Sequence, residues 1–130
     1  MTRTDLYAPE LAPSSGHFAH GVAVRGGRTI YVSGQVARNR DGSVEGVGDP
    51  ARQTEKLLEN MRYVLAQAGA SLADVVQVVV YVRHMEDVPA IHAVRERVFG
   101  DCRPASTLVE VSQLRHPDFL VEISAIAVVD

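Results

Sequence analysis

The stretch from Phe119 to Val129 restricts the fold more than any other segment of the chain. Its odd positions, Phe119, Val121, Ile123, Ala125, Ala127 and Val129, are all apolar. Its even positions, Leu120, Glu122, Ser124, Ile126 and Val128, are mostly apolar as well. Side chains alternate between the two faces of a strand, so this strand needs cover on both. Residues 75–83, VVQVVVYVR, form a second β-branched run and read as a central strand. Only two segments have helical spacing, and both are needed on one face. The other face leaves an apolar patch on the order of several hundred Å2, which monomers rarely expose. Cover by another subunit is the simple resolution. The alternative is a sheet curled over its own loops.

The remaining elements follow from local signals. Residues 18–25 and 28–36 read as strands joined by Gly26-Gly27, a hairpin signal. A short strand near Val44 follows the turn at Asp41-Gly42. Asp49-Pro50 opens a helix with Leu57, Leu58, Met61, Val64, Leu65 and Ala68 at helical spacing, stopped by Gly69. A second helix starts near Glu86 or Asp87 with Pro89 in its first turn, and Gly100 stops it. Strands at 106–113 and 119–129 complete a ββ(β)αβαββ order. This predicts an α+β domain, with a mixed sheet and two helices packed on one face, over residues 17–130. Residues 1–16, with Pro9, Pro13 and Ser14-Ser15-Gly16, read as a loosely structured segment.

Charge and composition remove several functions. Thirteen basic against 16 acidic residues leave a net charge of −3, which disfavours nucleic acid as a partner. No apolar run approaches the ~20 residues of a membrane span, and no secretory h-region opens the chain. The lone Cys102 permits no internal disulfide, so a cytoplasmic location is expected. His17, His20, His84, His92 and His116 show no metal-ligand spacing, and no metal is expected. Cys102 has no partner pattern of a nucleophile, and no GxSxG or phosphate-loop motif occurs.

What remains is polar chemistry on strands: Ser33-Gly34-Gln35, Ser106-Thr107, Glu110, Glu122 and Ser124. Their flanking apolar residues place Glu110 and Glu122 on one face, the one turned toward another subunit. They are either interface carboxylates or part of a pocket at a subunit boundary.

The segments YVSGQV (31–36), RPASTLVEVSQL (103–114) and VEISAIAV (121–128) resemble the RidA family, also called YjgF. The resemblance runs from Gly16 to Val128. It implies a chorismate-mutase-like α+β fold and a homotrimer with a central barrel, its small-molecule ligands held in clefts between subunits. The implied activity is cofactor-free hydrolysis of reactive enamines and imines: water adds to the C=N carbon and ammonia leaves. In archetypal members an Arg directly after Pro-Ala grips the substrate carboxylate. Here Ser106 follows Pro104-Ala105, His92 aligns with an Asn near the cleft, Phe18 with a Tyr, and Ser124 with a Glu of the last strand. Ser33, Glu110 and Glu122 are kept.

The resemblance therefore implies a site with His92 and Glu110 as catalytic groups and Phe18, Ser33, Ser106, Thr107 and Ser124 around the substrate. His92 would be the acid/base, since imidazole titrates near neutral pH. Without the signature Arg, the expected substrate is an enamine, imine or related electrophile that lacks the usual carboxylate. The alternative is a catalytically silent trimer that binds a metabolite or partner. Two arginines are candidates to replace the lost one. Arg103 points away from Ser106 by strand alternation. Arg95 shares a helical face with His92 and either reaches the cleft or lies on a solvated surface.

Overall fold

Asp49 and Pro50 begin a helix for the reason their chemistry suggests. In the computed structural model of the chain, which describes residues 1–130, helix α1 (Pro50–Ala66) is capped by the Asp49 carboxylate, which accepts the Arg52 backbone N–H at 3.0 Å. Its apolar stripe, Leu57, Leu58, Met61 and Leu65, is fully buried. Helix α2 (Val88–Phe99) has Pro89 in its first turn and ends at Gly100, whose φ of 59° an L side chain rarely adopts. A short 3-10 turn, Met85–Asp87, leads into it.

Six strands accompany the helices: β1 (Thr2–Leu6), β2 (Gly21–Arg25), β3 (Arg28–Gln35), β4 (Val75–Val82), β5 (Ala105–Glu110) and β6 (Val121–Val129). The main sheet has the order β3-β6-β4-β5. β4 and β5 run parallel, linked through α2, and the other pairings are antiparallel. The predicted α+β mixed sheet is therefore present, and β6 is interior to it.

The two faces of β6 part company as its pattern requires. Ala125 sits beside Val78 and Val32, Ile123 beside Val80, and Val121 beside Val82. This row packs with the α1 stripe and with Ile91, Val94 and Phe99 of α2 in one core cluster. The opposite row carries Glu122, Ser124 and Ile126, with Tyr81, Val79 and Gln77 beside them. No helix lies over that row. Tyr31, in register with Ile126, is 78 % exposed.

Four expectations need correction. Residues 1–16 are not uniformly loose, because β1 pairs antiparallel with β2 over Thr2–Leu6. Arg3 holds it down: its Nη1 donates to the Val75 carbonyl at 2.7 Å and its Nε to Asp5 at 2.9 Å. Consequently Gly26-Gly27 turns the chain from one sheet to the other and does not close a hairpin. Gly27 is needed there twice over. Its φ is 85°, and a Cβ would lie 2.7 Å from the Val129 carbonyl oxygen. Near Val44 there is a single bridge to Arg38 and no strand.

The fourth correction bears on the site. Glu110 is in register with Val82, which pairs in turn with Val121, so it lies on the helix-facing row. Glu122 is in register with Tyr81 and lies on the opposite row. The two carboxylates do not share a face. The apolar neighbours Val109 and Val111 misled because β5 is an edge strand, where Val109 stays 40 % exposed. No helix is long and apolar enough to cross a membrane.

Candidate active site

Ser106 opens β5 on the helix-facing side, in register with the buried Val78. One helical turn of α2 faces it. There Arg95 is almost wholly buried, at 1 % exposure, and its Nη2 donates to Ser106 Oγ at 2.9 Å. Its Nη1 approaches His92 Nδ1 at 3.3 Å. Residues three apart on a helix are neighbours, which is why one guanidinium reaches both the ring and the strand. Arg95 makes no ion pair with any carboxylate, and its Nε is buried without a partner.

These contacts decide protonation. A guanidinium only donates, so Nδ1 of His92 is the bare nitrogen and the ring proton sits on Nε2. Partial burial, and then the neighbouring Arg95 charge, push the His92 pKa below its ordinary value. The ring is therefore neutral at pH 7. Burial lowers Arg95 to about 10, which still leaves it charged.

The N-terminal segment closes over this region. At Gly16 an added Cβ would lie 3.3 Å from the Phe18 ring and 3.5 Å from His92 Cε1, so Phe18 and His92 flank one spot. A polar cavity of about 240 Å3 lies here, lined by Ser14, Ser15, His17, His92, Glu96 and Arg103 among others. His17 is 5 % exposed. Its Nε2 donates to the Cys102 carbonyl at 2.9 Å, and its Nδ1 lone pair is buried and unpartnered. No local pattern places His17 or Glu96 here. The signal was present only as an unusual Ser-Ser-Gly-His run before β2.

Thus the structure brings together Phe18, His92 and Ser106, adds Arg95, and separates the rest. Glu110 stands four residues from Ser106, about 13 Å along the strand. Its Oε1 accepts the Met85 backbone N–H at 3.1 Å, which ties β5 to the turn before α2. Within one chain it is not part of this group. Thr107 and Ser124 lie on the opposite sheet row, both in register with Val79. Ser33 is exposed on β3, three strand spacings or about 14 Å from β5. Gly34 beside it is where Glu122 packs, and a Cβ there would collide with that carboxylate. No three His, Cys, Asp or Glu side chains converge as metal ligands.

The widest cavity, about 620 Å3, lies instead between the end of β3 and α1, beside Arg38, Arg40, Lys56, Asn60 and Tyr63. Two of its polar groups are engaged elsewhere: Asn60 donates to the Val36 and Arg38 carbonyls, and Arg38 stacks 5.6 Å from the Phe119 ring centre. The group formed by Ser106, Arg95 and His92 lies at α2 and β5. Of the two alternatives for Arg95, the solvated surface does not hold: it is buried and stands behind the serine that replaces the signature Arg.

Comparison with known proteins agrees with this fold. The family model described as Endoribonuclease L-PSP matches residues 9–129. The chain is 36% identical to 3-aminoacrylate deaminase RutC of Acinetobacter baylyi over 119 residues, covering 92% of this chain and 89% of that protein. It is 33% identical to 2-iminobutanoate/2-iminopropanoate deaminase of Dermatophagoides farinae over 131 residues, covering 100% of both. A crystal structure of the Rid-family protein YyfB from Yersinia pestis, of unknown function, superposes with a TM-score of 0.91 at 34% identity, over 99% of this chain and 100% of that one.

Proposed function

Because the chain belongs to the RidA/YjgF family, we propose that it hydrolyses the C=N bond of a small imine, supplied as such or formed from an enamine by tautomerisation. The observation that carries this reading is the Ser106–Arg95–His92 group, built at the position of the family's C-terminal signature in a chain whose relatives include named deaminases. The reaction is redox-neutral. Water adds to the imine carbon, the carbinolamine nitrogen takes up a proton, the C–N bond breaks, and ammonia and a carbonyl compound leave. Nothing in that balance calls for a cofactor.

Within this reading the neutral His92 presents its Nε2–H to the substrate and polarises it, and Phe18 forms an apolar wall. Hydrogen bonds given to developing negative charge are worth more in a site that excludes water. Glu110, anchored at Met85, has no part in the step within its own chain.

The reading also places the protein in a homotrimer, with small-molecule clefts at the subunit boundaries and neither nucleic acid nor membrane as partner. The uncovered sheet row supports it: a cavity of about 250 Å3 opens there, lined by Tyr31, Val79, Ser124 and Ile126 among others. In such an assembly Ser33, Thr107 and Ser124 would approach a site from a neighbouring copy.

The test is a coupled assay in which a pyridoxal-phosphate enzyme releases a small imine and carbonyl product is followed with and without this protein. Acceleration that disappears in His92→Ala is expected. No acceleration for any imine or enamine tried favours the silent binding protein instead.

A further inference from the structure

We infer that His20 is a positioning residue: its neutral ring clips residues 7–15 down as a strap whose end walls the polar cavity beside His92, and protonation of the ring unclips it. The clip governs access to that cavity whatever the cavity receives, and so stands apart from the hydrolase reading.

Both ends of the strap are fixed without His20. On one side β1 is paired with β2 and held by Arg3. On the other, His17 is 5 % exposed with its Nε2 on the Cys102 carbonyl, and Ala19 donates its N–H to the Pro104 carbonyl at 3.3 Å. Between these anchors little packs, since Tyr7 is 52 % and Leu11 58 % exposed. Hydrogen bonds must hold the strap, and one side chain supplies them. His20 Nδ1 accepts the Ala8 N–H at 3.0 Å, and His20 Nε2 meets the Ala12 carbonyl at 3.0 Å. The bond from the Leu11 N–H to the Ala8 carbonyl is internal to the strap. No other hydrogen bond and no ion pair joins residues 7–15 to the rest of the chain.

The two bonds fix the state of the ring. An amide N–H only donates and a carbonyl only accepts, so the ring carries a bare Nδ1 and a proton on Nε2. A doubly protonated ring keeps its donor toward Ala12 but sets Nδ1–H against the Ala8 N–H, donor against donor. It can no longer bridge the two sides of the strap. Imidazole is the side chain whose charge changes between about pH 5 and 8. Tyr7 is the titratable group stacked on the ring, 5.8 Å between centroids. Neither acid of the adjoining segments offsets a charge on His20: Asp5 is paired with Arg3, and Glu10 forms no ion pair. Arg103, next to the Pro104 carbonyl that holds Ala19, lines the cavity. Ser14 and Ser15 at the strap's end line the same cavity with His92 and Glu96, so unclipping removes a wall.

Limited thermolysin digestion, which cuts before large apolar residues, reads the strap at Leu11. At about pH 7.5, His20→Ala is expected to be cut there at least about tenfold faster than the wild type, because cleavage follows the population of the open form and two hydrogen bonds are gone. His20→Gln offers a carbonyl and an N–H and does not titrate, so it is expected to resist like the wild type. At about pH 5.5 the wild type is expected to be cut several-fold faster than His20→Gln. Comparison at equal pH removes the protease's own pH dependence, and His17 and His92 are present in both proteins. Carbethoxylation of His92 by diethyl pyrocarbonate at about pH 7.5, mapped by mass spectrometry, reads the cavity wall and is expected to be faster in His20→Ala than in the other two. In 15N NMR of histidine-labelled wild type, which needs no variant to fold, His20 is expected as the Nε2–H tautomer.

Equal cleavage of the wild type and His20→Ala overturns the clip, as does an Nδ1–H tautomer or a His20→Gln protein cut as fast as His20→Ala. Wild type and His20→Gln cut alike at about pH 5.5 overturn its control by protonation. Faster cleavage of His20→Ala with unchanged labelling of His92 overturns the cover over the cavity. None of these measurements uses an imine, so each outcome is separate from that of the hydrolysis assay.

Discussion

Ser106 and Arg95 show how a change at one position is read through a side chain eleven residues away. Replacing Ser106 with Arg, the residue of archetypal relatives, would set a second guanidinium against the buried one. Ser106→Arg is thus expected to lower the melting temperature and not to raise hydrolysis, which parallel melting and imine assays would show. Arg95→Met should do the reverse to stability. Removing an unpaired buried cation is expected to stabilise by about 1 kcal/mol, by analogy with buried ion groups replaced by apolar ones, while imine turnover falls. Denaturant unfolding of the two proteins measures it.

His92 makes this region pH-sensitive. Its native pKa lies below the ordinary value, so between the two values the unfolded chain binds more protons than the native one. Stability therefore rises with pH through that window and is lost on acidification below about 6.5. Melting scans across the window should show the loss, and a smaller loss in Arg95→Met, where one cause of the shift is gone.

At the scale of elements, α1 is both a core wall and a clamp. Gln53, fully buried, donates from Nε2 to the Gly46 and Asp118 carbonyls at 3.1 and 2.8 Å, and its Oε1 accepts the Leu120 N–H at 2.8 Å. It joins the loop before α1 to the turn that starts β6. Gln53→Leu keeps the volume but strands three backbone groups, at about 1–3 kcal/mol for each that water cannot reach. A loss of at least about 2 kcal/mol in denaturant unfolding is expected. Asp49→Ala, which removes only the helix cap, should cost about 1 kcal/mol.

For the whole molecule, the decisive surface is the sheet row without helices. Tyr31 stands out on it at 78 % exposure. Light scattering behind size exclusion is expected to give about three times the chain mass of 14.1 kDa, and Tyr31→Asp to shift the species toward monomer, since an unpaired charge in an apolar contact is costly. A wild-type monomer at micromolar concentration would remove both the trimer and the inter-subunit clefts.

Much of this was written locally in the chain. The two-sided apolar pattern of β6, the Asp49-Pro50 start, the glycine stops and the β-branched run of β4 each act through neighbours a few residues away, so the α+β class and the helix limits were legible. Position along β5 was not, because an edge strand is buried on one side only and its apolar residues do not report which. The pairing of β1 with β2 depends on Arg3 reaching carbonyls some seventy residues on, a contact that no local pattern encodes. The site divides in the same way. Phe18, His92 and Ser106 were recognisable as residue types in place. Only the packing of α2 against the start of β5 decided that Arg95 is buried among them, because burial depends on what the rest of the chain lays over a helix face.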